Sequence, residues 1–229
     1  MGITENLGAL EQRISSACDC AGRGRSEITL VAVTKTRTPA EVVEAIKAGI
    51  MHLGENRVQE AATKKPQVTL PATWHLIGSL QTNKAKRALG LFDVIQSVDS
   101  LHLAAELQHR CEQMSRQVQT LIEVNTSGEA SKHGIPPDAV PDIVAEVLKL
   151  DRLQLAGLMT IGPGLAIDDP EASRPCFRKL TTVADDCRQR FGIPLPHLSM
   201  GMSSDFEVGI EEGATIIRIG TAIFGPRPS

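Results

Sequence analysis

Short apolar, β-branched runs alternate with longer amphipathic segments along the whole chain. The runs predict β-strands because they are short and bounded by Gly, Pro or polar residues. The amphipathic segments predict α-helices, and signals such as Pro39 in the first turn and Gly49 near the end support one of them. The predicted strands are 28–34, 51–53, 74–77, 92–97, 121–124, 153–159, 197–200 and 215–219, and the predicted helices are 5–21, 39–49, 55–63, 82–89, 100–116, 138–149, 170–190 and 204–212.

About eight strand-then-helix units predict a parallel sheet whose strands are joined by helical crossovers. Such a series in 229 residues is typical of a single (β/α)8 TIM barrel, while a doubly wound open sheet is the alternative that periodicity leaves open. No linker, low-complexity tract or shift in composition marks a second domain. We therefore expect residues 1–229 to form one domain, with an N-terminal helix within residues 1–22 packed on the barrel.

Composition and charge narrow the classes of partner. Hydrophobic residues make up 41% and charged residues 22% of the chain, as in an ordinary globular protein. A net charge of -3 gives no basic field, so we expect neither nucleic acid nor a membrane as partner. The N-terminus lacks the basic and apolar regions of a secretory signal. The 5 cysteines include no C-x-x-C pair, and we expect reduced thiols in a cytoplasmic protein.

Lys35 is the first candidate for chemistry. It ends the predicted strand run 28–35 and is followed closely by Pro39, which indicates that the strand stops there. A lysine that loses water at such a point can become a nucleophilic amine and form a Schiff base with an aldehyde. The alternative is a strand-end lysine whose side chain extends into solvent.

Further polar residues follow the other predicted strands. In a barrel, the chemistry lies where strands end and βα loops begin, so we expect these residues to converge on one rim. Taken singly, Asn56 or Ser203 could cap a helix, and His75 could be a hydrogen-bonded core histidine. The strand-end set comprises Lys35, Glu55, Asn56, His75, Gly78, Ser97, Asn125, Met159, Thr160, Ser203, Ser204, Arg218, Gly220 and Thr221.

The segment 200–205, which reads Met-Gly-Met-Ser-Ser-Asp, offers small residues, hydroxyls and backbone N–H groups before a predicted helix. Such a segment suits a phosphate, and barrels often hold phosphate between the loops after strands seven and eight, where Gly220 and Thr221 also lie. A reactive lysine and a phosphate cradle together indicate pyridoxal 5'-phosphate (PLP) as the cofactor. Schiff-base chemistry on a sugar phosphate, as in aldolases, is the rival interpretation.

At this point the sequence resembles the PLP homeostasis proteins of the YggS/PROSC family, from about residue 28 to the end. The matching stretches are VAVTK at 31–35, GEN at 54–56, VQE at 58–60, WHLIG at 74–78, LQ at 80–81, NK at 83–84, VN at 124–125, Lys132, Gly134, GLM at 157–159, LSMGMS at 198–203, Asp205, RIG at 218–220 and FG at 224–225. The chain departs from the family at Arg57, where Tyr is more common, and at Gly209, where Ala is usual.

The resemblance implies a barrel like the N-terminal domain of alanine racemases, with PLP on Lys35. It also implies phosphate contacts from Ser203, Gly220 and Thr221, and a position for Arg218 near the pyridine nitrogen. No metal site is expected. The candidate cofactor-binding residues are Lys35, Asn56, His75, Met159, Ser203, Ser204, Arg218, Gly220 and Thr221.

Arg218 bears on the choice between enzyme and carrier. A guanidinium offers only donors, so it holds the ring nitrogen unprotonated and weakens carbanion stabilisation. This disfavours transamination, whereas racemisation survives such an arginine in the resembled racemases. Racemisation there also needs a tyrosine base from a separate domain, and this chain has no tyrosine and no such domain in view. We therefore expect a monomeric PLP-binding protein that buffers the cofactor or delivers it to PLP-dependent apo-enzymes, without robust turnover. A weak amino-acid racemase is the alternative, and a barrel with an incidental lysine is the third hypothesis.

Overall fold

Eight parallel strands close into a barrel in the computed structural model, which describes residues 2–129 and 132–226. Each strand pairs with the next one in the chain, and the last pairs with the first. The predicted (β/α)8 barrel is confirmed, and the doubly wound open sheet is wrong. Residues 1, 130–131 and 227–229 of the predicted domain lie outside the described residues.

Helices follow the strands around the barrel, and short 3-10 turns lead into several of them. The strands are β1 (Thr29–Val33), β2 (His52–Glu55), β3 (Thr73–Leu76), β4 (Val94–Val98), β5 (Val118–Glu123), β6 (Leu153–Met159), β7 (His197–Ser199) and β8 (Ile216–Ile219). The helices are α1 (Ile3–Cys20), α2 (Pro39–Lys47), α3 (Val58–Lys64), α4 (Ala85–Leu89), α5 (Leu101–Gln113), α6 (Val140–Val147), α7 (Arg174–Phe191), α8 (Phe206–Glu211) and α9 (Thr221–Phe224).

One departure from the predicted elements lies between β2 and α3. The predicted helix 55–63 includes Glu55, but this residue ends β2 and pairs with Leu76 of β3. The helix begins only at Val58. Pairing in the strand ladder therefore overrides the helix propensity of the Glu-Asn-Arg segment.

Successive side chains along each strand point alternately into the barrel and towards the helices, and this produces two apolar cores. An apolar cluster fills part of the barrel interior, while a larger core lies between the strands and the surrounding helices and contains Trp74, Phe92 and Phe177. Inward-facing side chains of a (β/α)8 barrel stack in layers, so the interior is packed rather than open. The interior cluster consists of Val31, Val94, Leu121, Met159 and Ile216.

The N-terminal helix α1 packs on α8 and α9. Its Asn6 side chain donates to the carbonyl of Ile223 at 2.9 Å, and its Arg13 pairs with Glu207 at 2.7 Å. Within the described ranges, no helix is both long and apolar enough to cross a bilayer. All five cysteines are free thiols.

Candidate functional site

Lys35 lies half-buried in the turn that follows β1 rather than in the strand itself. The backbone N–H of Thr34 still bonds the carbonyl of Gly54 at 3.0 Å, and the N–H of Arg37 closes the turn onto the carbonyl of Thr34 at 3.0 Å. Thr36 takes a left-handed conformation with φ of 64°. Lys35 therefore lies at the carboxyl end of β1, where the strand passes into the turn.

A buried ion network holds the residues on both sides of Lys35. The ammonium of Lys64 lies 2.5 Å from a carboxylate oxygen of Glu55 and donates to the carbonyl of Thr34 at 2.6 Å. Glu60 accepts from Lys64 at 2.9 Å and from the backbone N–H of Thr36 at 2.6 Å. The Thr34 hydroxyl also donates to Glu55 at 2.6 Å. The turn that carries Lys35 is therefore fixed from α3.

The two main partners of this network are withdrawn from solvent. Glu55 is 0% exposed and Lys64 is 4% exposed. Burial raises the pKa of Glu55, while its hydrogen bonds to Lys64 and Thr34 act in the opposite direction. The sequence analysis missed Lys64, although its spacing of four residues from Glu60 on a helix was an available signal.

Lys35 shares one pocket with the loop that follows β8. Val33, Arg37, Gly220 and Thr221 line the same depression as Lys35. This arrangement follows from the barrel closure, which pairs β1 with β8 and brings their carboxyl ends together. The structure thus unites three of the predicted site residues.

The loop after β7 is held by a buried carboxylate. Asp205 is 0% exposed, accepts from the Met202 N–H at 2.7 Å and accepts from the Ser173 hydroxyl at 2.5 Å. Gly201 has φ of 92°, and a Cβ there would lie 2.9 Å from the Cα of Phe206. Glycine is therefore required at this turn.

Ser203 and Ser204 lie in this turn, partly exposed. The predicted helix 204–212 in fact begins at Phe206, because Asp205 takes the N-cap position. Both serines are therefore loop residues rather than members of a helix.

Arg218 lies inside the barrel and is 4% exposed. Its Nη1 donates to the Ser199 hydroxyl at 2.6 Å, and its Nη2 donates to the carbonyl of Thr160 at 2.8 Å. Burial lowers the pKa of Arg218 to about 10, with Asp205 and Glu123 acting in the opposite direction. The guanidinium therefore stays charged at neutral pH and presents fixed donors to the interior.

Asn56 follows β2 at the same end of the barrel. Its Oδ1 is buried and has no hydrogen-bond partner among the residues that the structure describes. Gly78 packs directly on it, since a Cβ at Gly78 would lie 2.4 Å from the carbonyl oxygen of Asn56. The Ser97 hydroxyl donates to the carbonyl of Gly78 at 2.7 Å. A buried acceptor without a partner is suited to a donor on a bound ligand.

His75 does not lie on the rim, and this prediction is wrong. It is a residue of β3, is 3% exposed and lines an interior cavity together with Thr29 and Thr73, the first residues of their strands. The strand continues to Leu76, so His75 stays at mid-depth in the interior. Burial lowers the pKa of His75 to about 3, with His52 contributing in the same direction.

Two other members of the strand-end set, Met159 and Asn125, make contacts that stabilise the fold. Met159 is 0% exposed within the interior apolar cluster, so it lies below the rim. Asn125 organises its own loop, because its Oδ1 accepts from the Ser127 hydroxyl at 3.2 Å and from the Gly128 N–H at 3.1 Å.

Glu123, at the end of β5, was not singled out from the sequence. It lines a cavity with Lys132 and His133, and burial raises its pKa to about 7. Across the described ranges, no group of three or more His, Cys, Asp or Glu side chains is arranged to hold a metal ion.

Comparison with known proteins fixes the family. The model of the alanine racemase N-terminal domain matches residues 6–228. A pyridoxal phosphate homeostasis protein of Aquifex aeolicus is 44% identical over 99% of both chains, and one of Pseudomonas aeruginosa is 39% identical over 98% of this chain and 96% of its own. The chain belongs to this family of alanine racemase N-terminal-like, pyridoxal phosphate homeostasis proteins.

A solved structure of a related protein has the same fold. PipY of Synechococcus elongatus, solved with PLP bound, superposes with a TM-score of 0.85 at 35% identity, covering 97% of this chain and 100% of its own. The resemblance inferred from the sequence motifs is therefore confirmed for the family and the fold.

The ion network beside Lys35 gives the first testable prediction. Lys64→Met should destabilise the protein by about 3–5 kcal/mol at neutral pH, since it leaves Glu55 buried without its counter-ion. The deficit should shrink as the pH is lowered, because a protonated carboxyl costs less to bury. Urea unfolding at two pH values measures both effects.

The control is Lys149→Met, which removes an exposed pair with Glu146 and should cost no more than about 1 kcal/mol. A Lys64→Met protein as stable as this control would contradict the structural role assigned to the network.

Proposed function

We propose that this protein binds PLP covalently through Lys35 and serves PLP homeostasis, either by buffering the cofactor or by delivering it to PLP-dependent apo-enzymes. The observation that carries the proposal is the shared pocket of Lys35, Gly220 and Thr221. The turn that carries Lys35 is also fixed by hydrogen bonds to Glu60 and Lys64 of α3. The bound PLP in the related PipY structure supports the proposal that this protein binds the cofactor.

PLP supplies an aldehyde, which condenses with the Lys35 amine so that a C=N bond forms and water leaves. The residues present fit such a group. An amine, loop hydroxyls and a buried donor-only cation would meet its aldehyde, phosphate and ring nitrogen respectively. The buried and unpartnered Oδ1 of Asn56 adds an acceptor on the β2 side.

The proposed contacts follow the family resemblance, residue by residue. Ser203, Gly220 and Thr221 would hold the phosphate, and Arg218 would face the ring nitrogen. Ser204, in the same turn as Ser203, is a further candidate contact. Met159 and Asn56 would be further contacts to the cofactor. His75 is no longer proposed as a direct contact, because it lies too deep in the barrel.

Two features favour a carrier: Arg218 disfavours reactions that need a protonated ring nitrogen, such as transamination, and the lack of tyrosine disfavours racemisation. Arg218 keeps its charge even though burial lowers its pKa, so it cannot accept a proton from the ring nitrogen or hold that nitrogen protonated. The chain also contains no tyrosine that could act as an opposing base.

We propose further that residues 1–229 act as one PLP-binding domain, as a cytoplasmic monomer. A weak amino-acid racemase is the alternative, favoured only by the family's relation to alanine racemase.

Lys35→Ala should abolish the covalent adduct that borohydride traps in the PLP-loaded protein. Peptide mass spectrometry should find the pyridoxyl group on Lys35 in the wild type and on no other residue. Lys47→Ala, which removes an exposed lysine of α2, is the matched control and should keep the adduct. A wild-type adduct on Lys84 or Lys132 instead would refute the assignment.

The double variant Ser203→Ala/Thr221→Val should bind PLP more weakly, by roughly tenfold or more for each lost hydrogen bond to the phosphate. Equilibrium dialysis measures the affinity, and circular dichroism checks that the fold is retained. The control Ser16→Ala/Thr182→Val removes two exposed hydroxyls on α1 and α7 and should bind normally. Equal PLP affinities of the two double variants would contradict the assignment of the phosphate site to Ser203 and Thr221.

The PLP-loaded wild type should interconvert L- and D-amino acids far more slowly than ordinary enzymes, which turn over at about 1 per second or faster. Chiral chromatography of reactions with several amino acids tests this. Turnover at enzyme rates would replace the carrier with the racemase. Its absence together with PLP transfer to an apo-enzyme supports the carrier.

A further inference from the structure

A line of buried polar side chains crosses the barrel interior and ends at Arg218. The guanidinium donates to the Ser199 hydroxyl at 2.6 Å, and Ser199 bonds Oε1 of Gln96 at 2.7 Å. Nε2 of Gln96 lies 2.9 Å from Nδ1 of His75, whose Nε2 lies 3.0 Å from Nδ1 of His52. The line therefore joins β8 and β7 on one side of the barrel to β4, β3 and β2 on the other.

The chemistry of arginine gives this line a direction. A guanidinium has donors but no acceptor, so Ser199 must accept from Arg218. The single hydroxyl hydrogen of Ser199 is then donated to Oε1 of Gln96. The amide nitrogen of Gln96 faces His75 and donates to its Nδ1.

A neutral imidazole carries one proton, so that of His75 must be on Nε2, from where it is donated to His52. Every donor along the line therefore points away from Arg218, and every acceptor points towards it.

This direction stabilises a buried cation. Removing a charge from water is costly unless the protein replaces the lost solvation. The dipoles of Ser199, Gln96 and His75 are aligned with their negative ends towards Arg218, and hydrogen bonds in such a series strengthen one another. Asp205 and Glu123 are the acidic groups that favour the charge from other elements. His52 and His197 are the other titratable side chains in the cavity beside His75, and burial lowers the pKa of each.

We propose that Gln96 and His75 are positioning residues for Arg218, which hold its guanidinium charged and fixed for the pyridine nitrogen of PLP. The inference rests on the proposed function for its ligand, but the hydrogen-bond line belongs to the protein alone. Neither residue touches the cofactor. Their effect reaches it through Ser199 and Arg218.

The direction of the line can be tested in the protein without PLP. Long-range ¹H–¹⁵N NMR spectra distinguish the two histidine tautomers, and the His75 signals are assigned by their loss in His75→Phe. The expected result is a neutral His75 with its proton on Nε2. A proton on Nδ1 would overturn the proposed direction.

Gln96→Leu tests the positioning role once PLP is bound. It should weaken PLP binding on the order of tenfold, since it leaves the Ser199 hydroxyl without its acceptor. It should also shift the ¹⁵N resonance of ring-labelled PLP, a signal that a purely structural role would leave in place. The matched control is Gln119→Leu, which alters a glutamine that lines the cavity beside His75 but lies outside the line, and it should change neither quantity. Unchanged affinity and an unchanged resonance in Gln96→Leu would refute the proposal.

Gln96→Glu covers the case in which Gln96→Leu does not fold. A carboxylate accepts at both ends, so the His75 proton should move to Nδ1 while the line remains closed. A proton still on Nε2 in this variant would contradict the account. Failure of the wild type to bind PLP would instead count against the proposed function, because the tautomer of His75 is read without the cofactor.

Discussion

The buried guanidinium of Arg218 is the constraint from which the polar content of the barrel interior follows. A cation at this depth needs solvation by the protein, and the acceptors Ser199 and Thr160 supply it directly. Barrel interiors are more often filled by branched apolar residues, and here the apolar cluster shares the space with a polar line. The interior thus contains less apolar packing than such a barrel usually has, and its polar side chains hold a charged donor in place below the rim.

A second buried cation organises the rim itself. Lys64 is the last residue of α3, and its contacts with Glu55 and the Thr34 carbonyl set the turn that carries Lys35. The proposed reaction at Lys35 would then need little rearrangement of the backbone, because these contacts already hold the turn. The proposed carrier role would benefit from such an arrangement, since a turn that is already fixed would not have to be ordered each time the cofactor binds.

The sequence predicted the architecture well because strand and helix signals repeat regularly. The strand 153–159 is found as predicted, and Pro39 marks the start of α2. The depth of His75 could not be predicted, because it depends on the stagger of β3 against its neighbours in the closed sheet. The pairing of Glu55 with Lys64 could not be predicted from the sequence either, since it connects a strand end to the far end of the next helix. The convergence of the strand ends of β1 and β8 was thus predictable, whereas the depth of one side chain in the barrel and the pairing of two buried side chains were not.

A crystal structure of the protein loaded with PLP tests the central claim most directly. The account predicts continuous electron density from Nζ of Lys35 to the cofactor, with the phosphate against Ser203 and Thr221. It also predicts that the ring nitrogen lies within hydrogen-bonding distance of Arg218. Density that joins the cofactor to another lysine, or a ring turned so that its nitrogen faces away from Arg218, would contradict it.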